Sequence, residues 1–104
     1  MTRYEARRAI GATARALLSG ALSYIEGARK IARLRFCADL EWDPDIVPFV
    51  GIDSETDALP MRDSLWDPEA LKDLQPKIDR AERWAREFGK EHCEQLVKRF
   101  GGMS

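Results

Sequence analysis

The side chains with chemical capacity are few: one histidine, His92, beside Cys93, a second cysteine, Cys37, and carboxylates at short intervals. A thiol paired with an imidazole is a nucleophilic arrangement. Adjacent residues on a helix point about 100° apart, so His92 does not serve Cys93, and Cys37 would have to arrive from another helix. A histidine satisfied at the core boundary is the stronger expectation. Asp79 with Glu82, and Glu91 with Glu94, stand three residues apart on a helix face, a spacing that can ligate metal. A bundle metal site draws acids from several facing helices, and residues 1–36 offer just Glu5 and Glu26. These carboxylates read as solvated helix-face charges, and an all-α nucleotide pyrophosphohydrolase with paired acidic motifs is disfavoured.

Asp53, Glu55 and Asp57 alternate within PFVGIDSETDALP, residues 48–60, like the opening of a calcium loop. The sixth position is Ala58, where the sharp turn needs Gly, and the twelfth is Ser64 rather than Glu. An EF-hand is rejected, and turn capping by Asp53, Ser54 and Asp57 is the simpler role. No zinc spacing, phosphate-cradling glycine loop or GxSxG occurs. The expectation is a protein with no catalytic residue, metal site or cofactor.

The elements that must position these residues are helical. With 104 residues, 44% hydrophobic and 34% charged, the chain reads as a single helical domain, 1–104. Residues 1–40 read as a helical hairpin. Its first helix, 2–19, carries Ile10, Ala14, Leu17 and Leu18 at helical spacing and stops at Gly20. Its second begins at the capping-box pair Ser23 and Glu26 and carries Ile25, Ala28, Ile31, Ala32 and Phe36, ending near 37–40. Residues 41–66 hold Pro44, Pro48 and Pro60, which oppose a long helix. They also hold too much apolar surface for a tether. An ordered acidic crossover loop is expected there, with an extended piece at 47–52 and a short helical turn at 54–58. Phe49, Val50, Ile52 and Leu59 should anchor it. The C-terminal helix, 67–100, starts with Asp67 as N-cap and Pro68 in its first turn, and Pro76 predicts a break or kink near 74–77. Its stripe is Ile78, Ala81, Ala85, Phe88, His92, Leu96 and Phe100, widened by Trp84 and Val97. Gly89 suggests close helix packing. The fold class is therefore all-α: a hairpin packed on a long, kinked helix. Two cysteines are too few for a disulfide scaffold, so free thiols are expected, with a 37–93 bridge as the alternative.

Charge divides the chain sharply. Residues 1–36 carry a net +6, residues 39–67 a net −8, and residues 68–104 a net +1, within an overall −1. The acidic crossing either neutralises the Arg-rich hairpin within the molecule or docks a basic partner. Trp42 and Trp66 near its ends would serve as aromatic anchors. A nucleic-acid role for Arg3, Arg7, Arg8 and Arg15, with Arg29, Lys30, Arg33 and Arg35, ranks lower, because the pI is about 5.8. No run reaches a membrane span, and Arg15 and Glu5 break the apolar stretch a secretion signal needs, so a cytoplasmic protein is expected.

GIDSETDALP at 51–60 and LWDPEAL at 65–71 resemble a family of short bacterial proteins of unassigned function. There a PFVGIDSETD-type segment follows an Arg-containing hairpin, and a W-x-PEAL helix start and a terminal RF come after. The resemblance spans about residues 17–101 and implies no catalytic residue. Pro76 departs from the unbroken helix that such members imply.

Together these features predict a non-enzymatic protein-binding module, most concretely an immunity-type inhibitor or another inhibitor of a basic toxin or enzyme. Trp42, Asp43, Asp45, Asp53, Glu55, Asp57, Asp63 and Trp66 would form its partner-binding face. The alternatives are a small metal-dependent enzyme using helix carboxylates and a nucleic-acid-binding hairpin.

Overall fold

The computed structural model describes residues 1–59 and 67–103. Four helices follow in order: α1 (Arg3–Ser19), α2 (Tyr24–Cys37), α3 (Val47–Thr56) and α4 (Pro68–Phe100). The protein is all-α, with no strand among the described residues.

Local chemistry sets the helix ends. Thr2 and Glu5 form a reciprocal capping box at the start of α1, each bonded to the other's backbone N–H at 3.1 Å. Gly20 ends α1 in the left-handed region, at φ 82°, where a side chain would be strained. Ser23 caps α2 by accepting from the Glu26 N–H at 3.1 Å. The reciprocal bond from the Ser23 N–H to the Glu26 carboxylate does not form, and the next N–H groups, of Tyr24 and Ile25, donate to the carboxylate of Glu82 on α4. Asp67 accepts from the Glu69 N–H at 2.9 Å, with Pro68 in the first turn of α4.

Two expectations are corrected. The piece at 47–52 is not extended, and the helical turn expected at 54–58 does not begin at 54; both belong to α3, which runs from 47 and ends at Thr56. Pro48 lies in its first turn, where an N–H has no intrahelical partner to lose. Asp53 and Ser54 therefore sit inside the helix and cap nothing. Of the break or kink expected near 74–77, a break does not occur, since α4 continues through Pro76. Pro76 is exposed, and the Gln75 amide donates to Asp79 at 2.8 Å just beyond it.

The core joins Ile10, Ala14 and Leu17 of α1, Ala28 and Ile31 of α2, Phe49 and Ile52 of α3, and Ala85, Cys93 and Leu96 of α4. Phe49 and Ile52 are fully buried, as expected of anchors, whereas Val50 and Leu59 are half-buried. Phe36, Trp84 and Phe88 lie outside the core despite their spacing. Phe36 is 56% exposed beneath the Arg35 guanidinium, and Trp84 stacks on Phe88 with centroids 5.5 Å apart. Every buried residue of α4 lies from Ala85 onward, so the bundle is built on the second half of that helix.

Glycines set the closest approaches. A Cβ at Gly11 would stand 2.6 Å from the Phe100 carbonyl carbon and oxygen. That is backbone at the end of α4, which cannot swing aside. Gly11→Ala gains about 1 kcal/mol of helix propensity but forces α1 off α4, at a cost of about 1–3 kcal/mol. The expected result is net destabilisation in denaturant melts, with Gly51→Ala, in open space, neutral or stabilising.

Candidate functional site

The acidic crossing is the sequence's own candidate, and its residues divide into two groups. Asp43 and Asp45 lie on the turns that lead into α3. Asp43 accepts the Asp45 N–H at 2.9 Å, a local turn typical of Asp. Across the fold, Arg99 of α4 grips Asp43 with two donors, Nη1 to Oδ1 at 2.7 Å and Nη2 to Oδ2 at 2.8 Å. Its Nη1 also donates to Asp45 Oδ2 at 3.0 Å. His92 Nδ1 lies 3.3 Å from Asp45 Oδ1, so the lone histidine is a satisfied boundary residue. This bidentate geometry is the strong form of an Arg–carboxylate pair. The Arg99 bonds hold the Asp43 carboxyl below the usual carboxylate range, and Arg99 is raised in turn.

Asp53 is drawn toward the hairpin. Its Oδ1 is 3.6 Å from Arg29 Nε, close enough for an ion pair but too long for a hydrogen bond. The other end of Arg29 donates to the carbonyls of Thr56 and Leu59, at the end of α3. Internal neutralisation is thus realised at Asp53 and, on the surface, between Arg3 and Asp39 at 3.9 Å, while Asp43 and Asp45 pair with α4 instead.

Trp42, Glu55 and Asp57 remain outward. Trp42 is 85% exposed, and both acids are exposed with no hydrogen bond or ion pair among the described residues. Trp42 precedes α3, whereas Glu55 and Asp57 lie at its C-terminal end, about three helical turns along the chain. Asp63 and Trp66 lie outside the described residues.

The other candidates are also placed. Among the described residues, no three His, Cys, Asp or Glu side chains gather as a metal site. Glu82, of the Asp79 and Glu82 pair, is committed to the first N–H groups of α2. The two cysteines are free, Cys93 buried and Cys37 exposed. Burial pushes the Cys93 thiol up to about 12, and the adjacent Tyr24 hydroxyl to about 12, again chiefly through burial. Cys93 is therefore a protonated core thiol, not a nucleophile.

Sequence reasoning missed Arg99, Arg29 and Glu82 as the groups that organise this region. Charge sign pointed toward Arg29, the spacing from Asp79 marked Glu82 for metal rather than for capping, and nothing local marked Arg99. No helix among the described residues is long and apolar enough to cross a membrane. No protein family, curated protein or solved structure matches this chain.

Because its folded pKa is depressed, Asp43 contributes stability above the ordinary carboxylate range, and that contribution is lost as pH falls through the folded value. In urea melts, the difference in stability between wild type and Asp43→Asn should be full at neutral pH and shrink below about pH 4. A difference independent of pH would contradict the pairing. Thiol titration of the native protein should modify Cys37 readily, with Cys93 reacting only on unfolding.

Proposed function

We propose that the protein is a non-enzymatic binding module that docks a basic protein partner, most concretely an immunity-type or other inhibitor that occludes the basic cleft of a toxin or enzyme. Trp42 is the observation that supports this reading most. A large aromatic side chain is 85% exposed on a segment held to α4 by the adjoining Asp43 and Asp45. An exposed aromatic on a pre-organised segment is a strong interface anchor, because little ordering remains to be lost on binding. Glu41 beside it, and Glu55 and Asp57 farther along, supply the charge that would speed association with a basic surface. A cytoplasmic site of action belongs to the same reading.

Both alternatives have less support. Arg7, Arg15 and Arg29 of the hairpin already donate to the carbonyls of Ala38, Gly101 and Thr56, which removes three cations from any phosphate-binding face. Glu82 is spent as a helix cap, which leaves a carboxylate metal site without a partner for Asp79.

The test is affinity capture from the source cell's lysate with three baits: wild type, Trp42→Ala, and the double variant Glu55→Lys/Asp57→Lys. Asp43, Asp45 and Asp53 stay untouched because reversing them would break internal pairs. A basic protein held by wild type and lost by both variants, at unchanged circular dichroism, is the expected outcome. Identical recoveries from all three baits would sink the proposal.

A further inference from the structure

A groove of about 490 Å³ lies between the α1–α2 turn and α4. Its volume is within the range of small-molecule sites, about 300–1,000 Å³. The turn contributes apolar surface from Leu18 and Leu22, and α4 contributes Glu82, Arg86 and Lys90. The latter three are four residues apart, so they line one face of the helix.

That spacing would ordinarily pair Glu82 with Arg86 along the helix surface. The pairing does not form. The Glu82 carboxylate turns onto α2 and accepts from the N–H groups of Tyr24 and Ile25, where the positive helix end balances its charge. Arg86 and Lys90 consequently make no hydrogen bond or ion pair among the described residues. Two cations that form no ion pair among the described residues stand beside the groove, with exposed Leu18 and half-buried Leu22 on the same lining. Glu26 also lines the groove. It repels a dianion more than a monoanion, so it favours a singly charged head.

We propose that this groove binds a small amphiphile with a single carboxylate head, an alkyl carboxylate. The head meets Arg86 and Lys90, and the chain lies on Leu18 and Leu22. Arg offers a planar fork matched to a carboxylate, and Lys adds a second cation without geometric demand. The inference is independent of the docking role given to Trp42, which lies on a different segment.

Isothermal titration of the full chain with decanoate tests it, with decanol and acetate as controls. Wild type should bind decanoate saturably with a Kd of about 1 mM or tighter, and acetate and decanol should each bind more weakly. Arg86→Gln/Lys90→Gln should lower decanoate affinity by about tenfold or more, the loss expected of a charge-assisted hydrogen bond. Both residues are exposed, so the double variant should keep its helicity and melting temperature. Leu18→Ser, also at an exposed position, should weaken decanoate and leave acetate unchanged. Absence of saturable decanoate binding, or equal affinity in the Gln double variant, would overturn the proposal.

Discussion

Helix α3 packs chiefly against α2, and a glycine in α4, Gly89, lets it approach α4 as well. Phe49 Cε1 and Ile52 Cδ1 of α3 each lie 3.2 Å from where a Gly89 Cβ would stand. The missing side chain lets a short apolar helix sit directly against α4. Burying Phe49 and Ile52 contributes about 1.5–3 kcal/mol each, and the ionic contacts hold the same helix at its two ends. Once α3 is in place, the turns that lead into it bring Asp43 and Asp45 under Arg99, and its far end delivers the Thr56 and Leu59 carbonyls to Arg29.

Helix ends also explain the segregated charge. The Arg-rich hairpin spends its cations on helix ends as much as on carboxylates. Arg7 donates to Ala38 at the end of α2, Arg15 to Gly101 at the end of α4, and Arg29 to Thr56 at the end of α3. Each such end exposes unpaired carbonyls and a partial negative charge. A count of formal charges cannot see these acceptors, because they belong to the backbone. This is why a net +6 segment can lie within a compact fold without matching every cation to an acid. At the other pole, Glu82 neutralises the start of α2. Helix ends, as well as side-chain charges, complete the electrostatic balance.

The sequence displayed the helices that obey local rules. The stop at Gly20, the Ser23 cap and the Asp67–Pro68 start are written in adjacent residues, and the stripes of Ile10, Ala14 and Leu17 and of Ala28 and Ile31 have a clear period. The start of α1 was read one residue early, because Thr2 is its N-cap and pairs with Glu5 in a capping box. Helix α3 was hidden for a physical reason. Its buried residues Phe49, Ile52 and Thr56 share one face, but exposed Val47 and half-buried Val50 put apolar residues on the other side and blur the helical period, and Pro48 reads as a breaker unless its place in the first turn is known. Phe36, Trp84 and Phe88 misled in the opposite sense: their spacing is right, but they remain exposed. In the candidate site, the acids were legible as a cluster, but their partners were not. Arg99 lies more than fifty positions from Asp43, and only the seating of α3 brings the two together.

That seating also separates two roles that the sequence presents as one. Trp42, Asp43 and Asp45 occupy a single short stretch and look like a joint docking motif. In the fold, both acids are turned toward Arg99 and His92, while Trp42 faces solvent. Burying an indole would contribute favourably, so an unrestrained segment would tend to fold its tryptophan inward. Here the bidentate Asp43–Arg99 pair fixes the residue immediately after Trp42, and the Asp45 contacts fix the segment again two residues later. The carboxylates thus act as the mount and the indole as the element presented. The free charge that would steer a partner comes from Glu41, Glu55 and Asp57, which make no such internal contact.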